Sequence, residues 1–250
     1  MNTEELYSLL LPAQFIFGLL TLVSLFLIEA PYGRFVRKGW GASIKAIYGW
    51  VIMETPAVII MAYWFFQGSI DVVSVVMIII WQSHYLRRTF HYPINMKGKD
   101  KPFPVVLVLM AISFNSMNGF INGYYLFGAH TFESSWLYSP QFIIGLVIFY
   151  SGYWINSSSD NILSSLQRGP NNEYVIPQGG LFKWVSNPHY FGEIIQWTGW
   201  AILTWSWAGA AFAFYTFSNL APRAISHHAW YKKSFKEYPN DRKALIPYLW

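Results

Sequence analysis

AIYGWVIMETPAVIIMAYWFF, residues 46–66, is long enough to cross a bilayer and carries one charged residue, Glu54, with no cation inside the run. About 20 apolar residues span the hydrocarbon core. A carboxyl group at that depth costs about 2.5–3.5 kcal/mol on insertion and marks a pathway or site. Pro56 follows two residues later and removes a helix hydrogen bond near Ile52. An acid and an interrupted backbone in one span predict a cavity inside the membrane.

The rest of the chain agrees with a membrane setting. Of its 250 residues 54% are apolar, 20% aromatic and only 12% charged, against about 25% charge in soluble domains. With no cysteine there is no disulfide and no thiol nucleophile or metal ligand. MNTEEL at the N-terminus is acidic where a secretory signal is basic, so no cleavable signal is expected. The net charge of +5 finds its explanation in membrane orientation, and no nucleic-acid partner is expected.

Further apolar runs lie near 6–28, 70–86, 104–126, 141–159 and 190–222. As one helix the last would be roughly 48 Å long, too long for one crossing, and it divides at Ser206–Gly209. This predicts an all-α integral membrane protein of seven transmembrane helices in a single domain, 1–250. Four cations then follow span 1, five span 3, two (Arg168 and Lys183) span 5 and six span 7, which accounts for all 17. The loops after spans 2, 4 and 6 hold none. Lys and Arg concentrate on the cytoplasmic side, so the N-terminus lies outside and the C-terminus in the cytoplasm. Six spans would place the tail's cations on the wrong side. No internal repeat is visible, which removes support for an inverted-repeat transporter.

This threading gathers polar groups in the cytoplasmic half. Glu54 lies roughly 12 Å into span 2, and His84 and Tyr85 sit at a similar depth if span 3 runs on to Tyr92. Asn156 and Asp160 share one face of span 5 as an i,i+4 pair. Glu193 is in the second turn of span 6, and Arg223, His227 and His228 end span 7. Such a cavity, open to the cytosol through a basic rim, attracts anions, so a phosphate-bearing ligand fits. Asn115, Asn118 and Asn122 form one face of span 4, either as interhelical hydrogen bonders or as pocket lining.

The segment IPQGGLFKWVSNPHYFGE (176–193), the following G-E-I-I-x-W helix, and the tail RAISHHAWYKKSFKEYPNDRKALIP (223–247) resemble the steroid 5α-reductase family. HYLRRTF (84–90), NGYYL (122–126) and Gly33 after Tyr32 extend the likeness, which runs from Tyr32 to Trp250 and is weakest in span 1 and at 157–175. The tail alone also resembles other membrane double-bond reductases and isoprenylcysteine methyltransferases. The surroundings of Glu54 and His84–Tyr85 favour the 5α-reductases.

The resemblance implies NADPH-dependent reduction of the C4–C5 double bond of a 3-oxo-Δ4-steroid, a lipid-soluble enone, with no obligate protein partner. Glu54, held neutral by apolar surroundings, and Tyr85 would donate to the 3-oxo oxygen, while His84 would be a helix contact. The implied cofactor contacts are Tyr32, Arg34, Arg88, Tyr92, Asn156, Asp160, Glu193, Trp197, Arg223, His227 and Tyr231. No G-x-G-x-x-G follows a strand, so a dinucleotide would be held by loops and helix ends. No metal is expected, because adjacent His227 and His228 have poor ligand spacing.

Three departures from the family pattern stand out. Met53 replaces a glutamine beside the glutamate, which predicts the loss of an orienting hydrogen bond. His189 replaces an asparagine. Ser164 and Gln167, followed by Arg168, replace basic residues after Asp160, which puts strict choice of NADPH over NADH in question. The absence of cysteine leans toward a bacterial inner membrane over the endoplasmic reticulum. The competing readings are another membrane lipid enzyme, a reductase or methyltransferase, and a non-enzymatic sterol or lipid binder or transporter.

Overall fold

Several helix starts in this computed structural model, which describes residues 1–167 and 173–250, coincide with local capping chemistry; Arg168 lies outside the described residues. Helix α1 (Thr3–Leu27) opens on a capping box, in which Asn2 Oδ1 accepts from the Glu5 N–H at 2.8 Å and Glu5 returns the bond to the Asn2 N–H. Helix α2 (Ala46–Gln67) is followed by α3 (Val72–Leu86), which Asp71 and Ser74 cap reciprocally at 2.8 Å. A π-type stretch at Arg87–His91 leads from α3 into the one-turn α4 (Tyr92–Asn95). Helix α5 (Val105–Gly123) also ends in a π-type stretch, Tyr124–Ala129. Helix α6 (Pro140–Ser165) is capped by Ser139, and Pro140 and Pro188 open α6 and α7 (Pro188–Thr204), positions where the missing N–H costs nothing. Helix α8 (Trp207–Ser234) completes the set.

The long last apolar run is divided at Trp205–Ser206. Trp205 takes a left-handed conformation at φ 46°, and the Ser206 hydroxyl caps α8 by accepting from the Gly209 N–H at 2.9 Å. Pro56, in contrast, does not interrupt its span: α2 is continuous through it. The expected backbone break is therefore absent, and only one helix hydrogen bond is forgone. The all-helical expectation also omits a small antiparallel ribbon, β1 (Ser43–Lys45) with β2 (Pro102–Pro104), which ties the start of α2 to the start of α5.

Polarity is arranged inside out. Gln14, Asn118 and Asn122 are 1% exposed or less, while Ile16, Leu20, Ile59, Leu109 and Val147 are each more than half exposed. That distribution suits lipid, where polar groups must find partners within the protein. Helices Thr3–Leu27, Ala46–Gln67 and the run Val105–Ala129 are long and apolar enough to cross a membrane. The interior is aromatic, with Trp81, Trp197, Trp200 and Phe149 fully enclosed between α3, α6 and α7.

Helices α6 and α7 touch backbone to backbone. A Cβ added to Gly152 would lie 2.3 Å from the Gln196 nitrogen, and one added to Gly199 would lie 2.3 Å from the Phe149 nitrogen. Gly145 and Gly192 are equally tight against Leu203 and Asn156. Small residues permit such close approach, which is a main source of helix association in lipid.

Candidate active site

Two adjoining cavities lie among the helices, the inner one where α1, α2, α3, α5, α7 and α8 converge and the outer one between α2, α4, α6, α7 and α8. The inner one, about 350 Å³, is lined by Glu54, His84, Tyr85, Arg88, Asn115 and Trp197 among others. The outer one, about 240 Å³, is lined by Arg34, Tyr92, Asp160, His189, His227 and Tyr231 among others. Tyr32, Trp50, Phe103 and Tyr190 face both, so a wall of aromatic rings divides them.

The acid at 54 is not alone. Arg88 Nε lies 4.0 Å from Glu54 Oε1, and the same guanidinium is 3.8 Å from Asp160 and 3.7 Å from Glu193. It also sits over the rings of Trp50 and Tyr92, each 4.5 Å from the centroid. Glu54 and Arg88 are each only 13% exposed. The apolar span therefore receives its counter-charge from the π-type stretch after α3, which widens the helix and turns Arg87 and Arg88 toward the interior.

Glu54 has a second neighbour. Asn115 Nδ2 donates to Glu54 Oε2 at 3.2 Å and to the Met53 carbonyl at 2.6 Å. The hydrogen bond expected to be lost with a methionine at 53 is thus supplied from α5. Of the three asparagines on that face, only Asn115 lines the inner cavity. Asn118 and Asn122 bond Gln14, Trp200 and each other.

Tyr85 is 3% exposed and stacks on Trp81 at 4.8 Å between centroids, which fixes its ring beside the cavity. His84 Nδ1 meets Gln196 Oε1 at 3.1 Å, the helix contact expected of it, although its ring also faces the inner cavity.

Asn156 and Asp160 do share a face, and both meet Arg87. The Arg87 guanidinium donates to Asn156 Oδ1 and lies 3.2 Å from Asp160 Oδ2. Asn156 Nδ2 donates onward to the His189 carbonyl at 2.9 Å and to Glu193 at 3.3 Å. Asn156 thus braces α3, α6 and α7 and lines neither cavity. Glu193 and Trp197 open on the inner cavity beside Glu54.

On α8 the i,i+4 series Arg223, His227 and Tyr231 runs from the inner to the outer cavity. Arg223 donates to the Tyr190 hydroxyl at 2.8 Å, and His227 Nδ1 meets Asn187 Oδ1 at 3.1 Å. Arg34 lies 4.4 Å over Trp230 and 4.5 Å over Tyr231, and donates to the Tyr231 hydroxyl at 3.1 Å. Its Nη1 is buried without a partner, as is Nδ1 of His189.

Sequence reading missed Arg87, Trp50, Phe103 and Tyr190, and it left Asn115 open between bracing helices and lining a pocket. Trp50 was within reach, being one turn before Glu54 on α2. Arg87 was not, because its direction depends on the widened turn.

The 3-oxo-5-alpha-steroid 4-dehydrogenase family model matches residues 101–250. The chain is 38% identical to the steroid 5-alpha-reductase DET2 of Gossypium hirsutum over 258 aligned residues, covering 100% of this chain and 99% of that protein. It is 38% identical to DET2 of Arabidopsis thaliana, covering 92% of this chain and 91% of that protein. It is 37% identical to 3-oxo-5-alpha-steroid 4-dehydrogenase 1 of Homo sapiens, covering 87% of this chain and 85% of that protein. With relatives this similar along nearly its whole length, and a site gathered from the segments that carry the likeness, the chain belongs to the steroid 5α-reductase family, the 3-oxo-5α-steroid 4-dehydrogenases.

Proposed function

We propose that this chain is a membrane reductase that uses NADPH to saturate the C4–C5 double bond of a 3-oxo-Δ4-steroid. The observation that carries the reading is the convergence of Glu54 and Tyr85, from two different helices, on one largely apolar cavity. A rigid, fused-ring ketone suits such a space: its skeleton contacts apolar side chains and its one carbonyl needs a few placed donors.

Adding hydride to C5 of a conjugated enone moves negative charge onto the 3-oxo oxygen, and the resulting enolate takes up a proton at C4 to give the saturated ketone. Donors aimed at that oxygen lower the barrier, and losing one costs about 10²–10³ in rate in comparable sites. Glu54, in its protonated form, and Tyr85 are assigned as those donors. The aromatic lining keeps water from the developing enolate, which strengthens both hydrogen bonds.

The outer cavity suits the cofactor. It presents buried polar nitrogens without partners, on Arg34 and His189, and tyrosine and histidine rings on which a flat heterocycle can stack. Arg34, Tyr92, His227 and Tyr231 would hold NADPH, with Tyr32 and Tyr190 between it and the inner cavity. When bound, it supplies the hydride. Lys97 and Lys101, both lining the outer cavity, offer phosphate contacts in place of the basic residues missing at Ser164 and Gln167. The proposal includes seven spans with the C-terminus and the outer cavity facing the cytoplasm, supported by the charge distribution and seven helices of 15 residues or more among the described residues. A bacterial inner membrane is the proposed location.

The test uses purified protein with NADPH and progesterone, following loss of nicotinamide absorbance and identifying products by mass spectrometry. Glu54→Gln is expected to lower turnover by about 10²–10³ with NADPH affinity little changed. Methyl transfer without NADPH oxidation rejects the reading. Turnover that survives both Glu54→Ala and Tyr85→Phe rejects the assigned donors.

A further inference from the structure

We infer that Asn115 is a positioning residue for Glu54 and fixes which carboxyl oxygen is offered to the substrate. The inference rests on the reading of Glu54 as the donor to the 3-oxo group.

The geometry is a fork. One N–H of the Asn115 amide is anchored on the Met53 carbonyl at 2.6 Å, and the amide also donates to Glu54 Oε2 at 3.2 Å. The anchor belongs to the residue before the acid, so amide and carboxyl are held by the same turn of α2. The amide is 6% exposed, and water does not compete for it. Helices α5 and α2 pack closely just beyond it. A Cβ on Gly119, one turn on, would stand 3.3 Å from Ile60 Cβ, and one on Gly123 would stand 2.7 Å from the Trp64 ring. The short asparagine side chain can therefore reach across, and the packing keeps it in register.

The consequence concerns the proton. The Asn115 amide N–H occupies a lone pair of Oε2, and the carbonyl oxygen of a neutral acid is a better acceptor than its hydroxyl, so we assign Oε2 as the carbonyl-type oxygen of Glu54. The acid proton then belongs on Oε1. That oxygen has Arg88 Nε at 4.0 Å, beyond hydrogen-bond distance. Oε1 is therefore free to donate to a ligand in the inner cavity. Asn118 and Asn122 differ: they line neither cavity, and their bonds run to Gln14, Trp200, each other and, from Asn118, Tyr85, with none to Glu54 among the described residues.

The experiment compares wild type, Asn115→Ala and the double variant Met53→Gln/Asn115→Ala, with Glu54→Gln as reference. Each is assayed for kcat, for KM toward progesterone and for NADPH affinity. Asn115→Ala is expected to lower kcat about 10- to 100-fold, the range for a misplaced reacting group, with NADPH affinity unchanged. Met53→Gln, which puts an amide beside Glu54 from its own helix, is expected to restore most of the loss. A role in helix bracing alone would not be rescued this way. Asn115→Asp keeps the shape but removes both N–H donors, and it reads the same contact should the alanine variant fail to fold. Wild-type turnover in Asn115→Ala, beside loss in Glu54→Gln, overturns the inference and leaves the functional reading standing. Loss that Met53→Gln does not restore also overturns it. A wild-type protein that does not reduce progesterone with NADPH overturns the functional reading itself.

Discussion

Replacing Arg88 with methionine keeps most of the side-chain volume and removes a cation of the inner cavity that three acids share. Its guanidinium lies 4.0, 3.8 and 3.7 Å from Glu54, Asp160 and Glu193. At an effective dielectric near 20, one unit-charge pair at about 4 Å is worth about 4 kcal/mol before desolvation is counted. Asp160 keeps Arg87 at 3.2 Å. Glu54 and Glu193 have no other cation within 4.0 Å among the described residues, and at 13% and 15% exposure they have little water to replace it. Breaking a buried pair costs about 3–5 kcal/mol, and the lower end applies because Glu54 is read as neutral, so the stranded charge is that of Glu193, which retains some solvent. At about 2–4 °C per kcal/mol for a chain of this size, Arg88→Met is expected to melt about 6–12 °C below wild type in detergent at neutral pH. Arg88→Lys keeps the charge and loses the flat stack over Trp50 and Tyr92, so it falls by less, about 1–2 kcal/mol. In Arg88→Met/Glu193→Gln one stranded charge is removed, and part of the stability returns. Thermal melts followed by size-exclusion and tryptophan fluorescence measure all three. A wild-type melting temperature in Arg88→Met would show that the three acids do not depend on this cation.

The glycine contact between α6 and α7 predicts a sharp contrast. Gly152→Ala, with its Cβ 2.3 Å from backbone, should cost more than about 3 kcal/mol or prevent folding. Gly119→Ala, 3.3 Å from a side-chain carbon, should cost less than about 1.5 kcal/mol; comparable melts for the two would refute the assignment. Asn187→Ala removes donors to the Ala224 and Ala244 carbonyls, both at 3.0 Å, and the contact with His227. It should loosen the C-terminal tail and speed limited proteolysis after residue 235, and an unchanged cleavage pattern counts against this.

Local signals carried much of the fold. Length and charge alone required a break in the last apolar run, and the chain makes it at Trp205–Ser206, where a serine can cap the next helix. The helical spacing of Asn156 and Asp160 placed them on one face, and a single charge in an apolar span pointed to the cavity at Glu54. What could not be read depends on geometry between elements. A π-type turn shifts side-chain direction without changing composition, so the inward course of Arg87 had no sequence signature, and Arg88 was reached only through the family resemblance, as a cofactor contact. The separation into two cavities, which puts Glu193 and Trp197 beside Glu54, is decided by how α7 lies on α6. The prolines misled in one respect: Pro56 looked like an interruption, and the helix runs through it.

The glycine seam between α6 and α7 has one more effect. Two helices whose main chains touch cannot slide or part without losing the whole seam, so they behave as a single plate. That plate carries Asp160 on the outer compartment and Glu193 with Trp197 on the inner one, and it fixes the spacing between them like a ruler. Accommodation of guests of different outline then falls to the opposite wall, above all to α1, whose Gly18 comes closest to α8 at the edge of the Phe214 ring, a side chain that can swing aside.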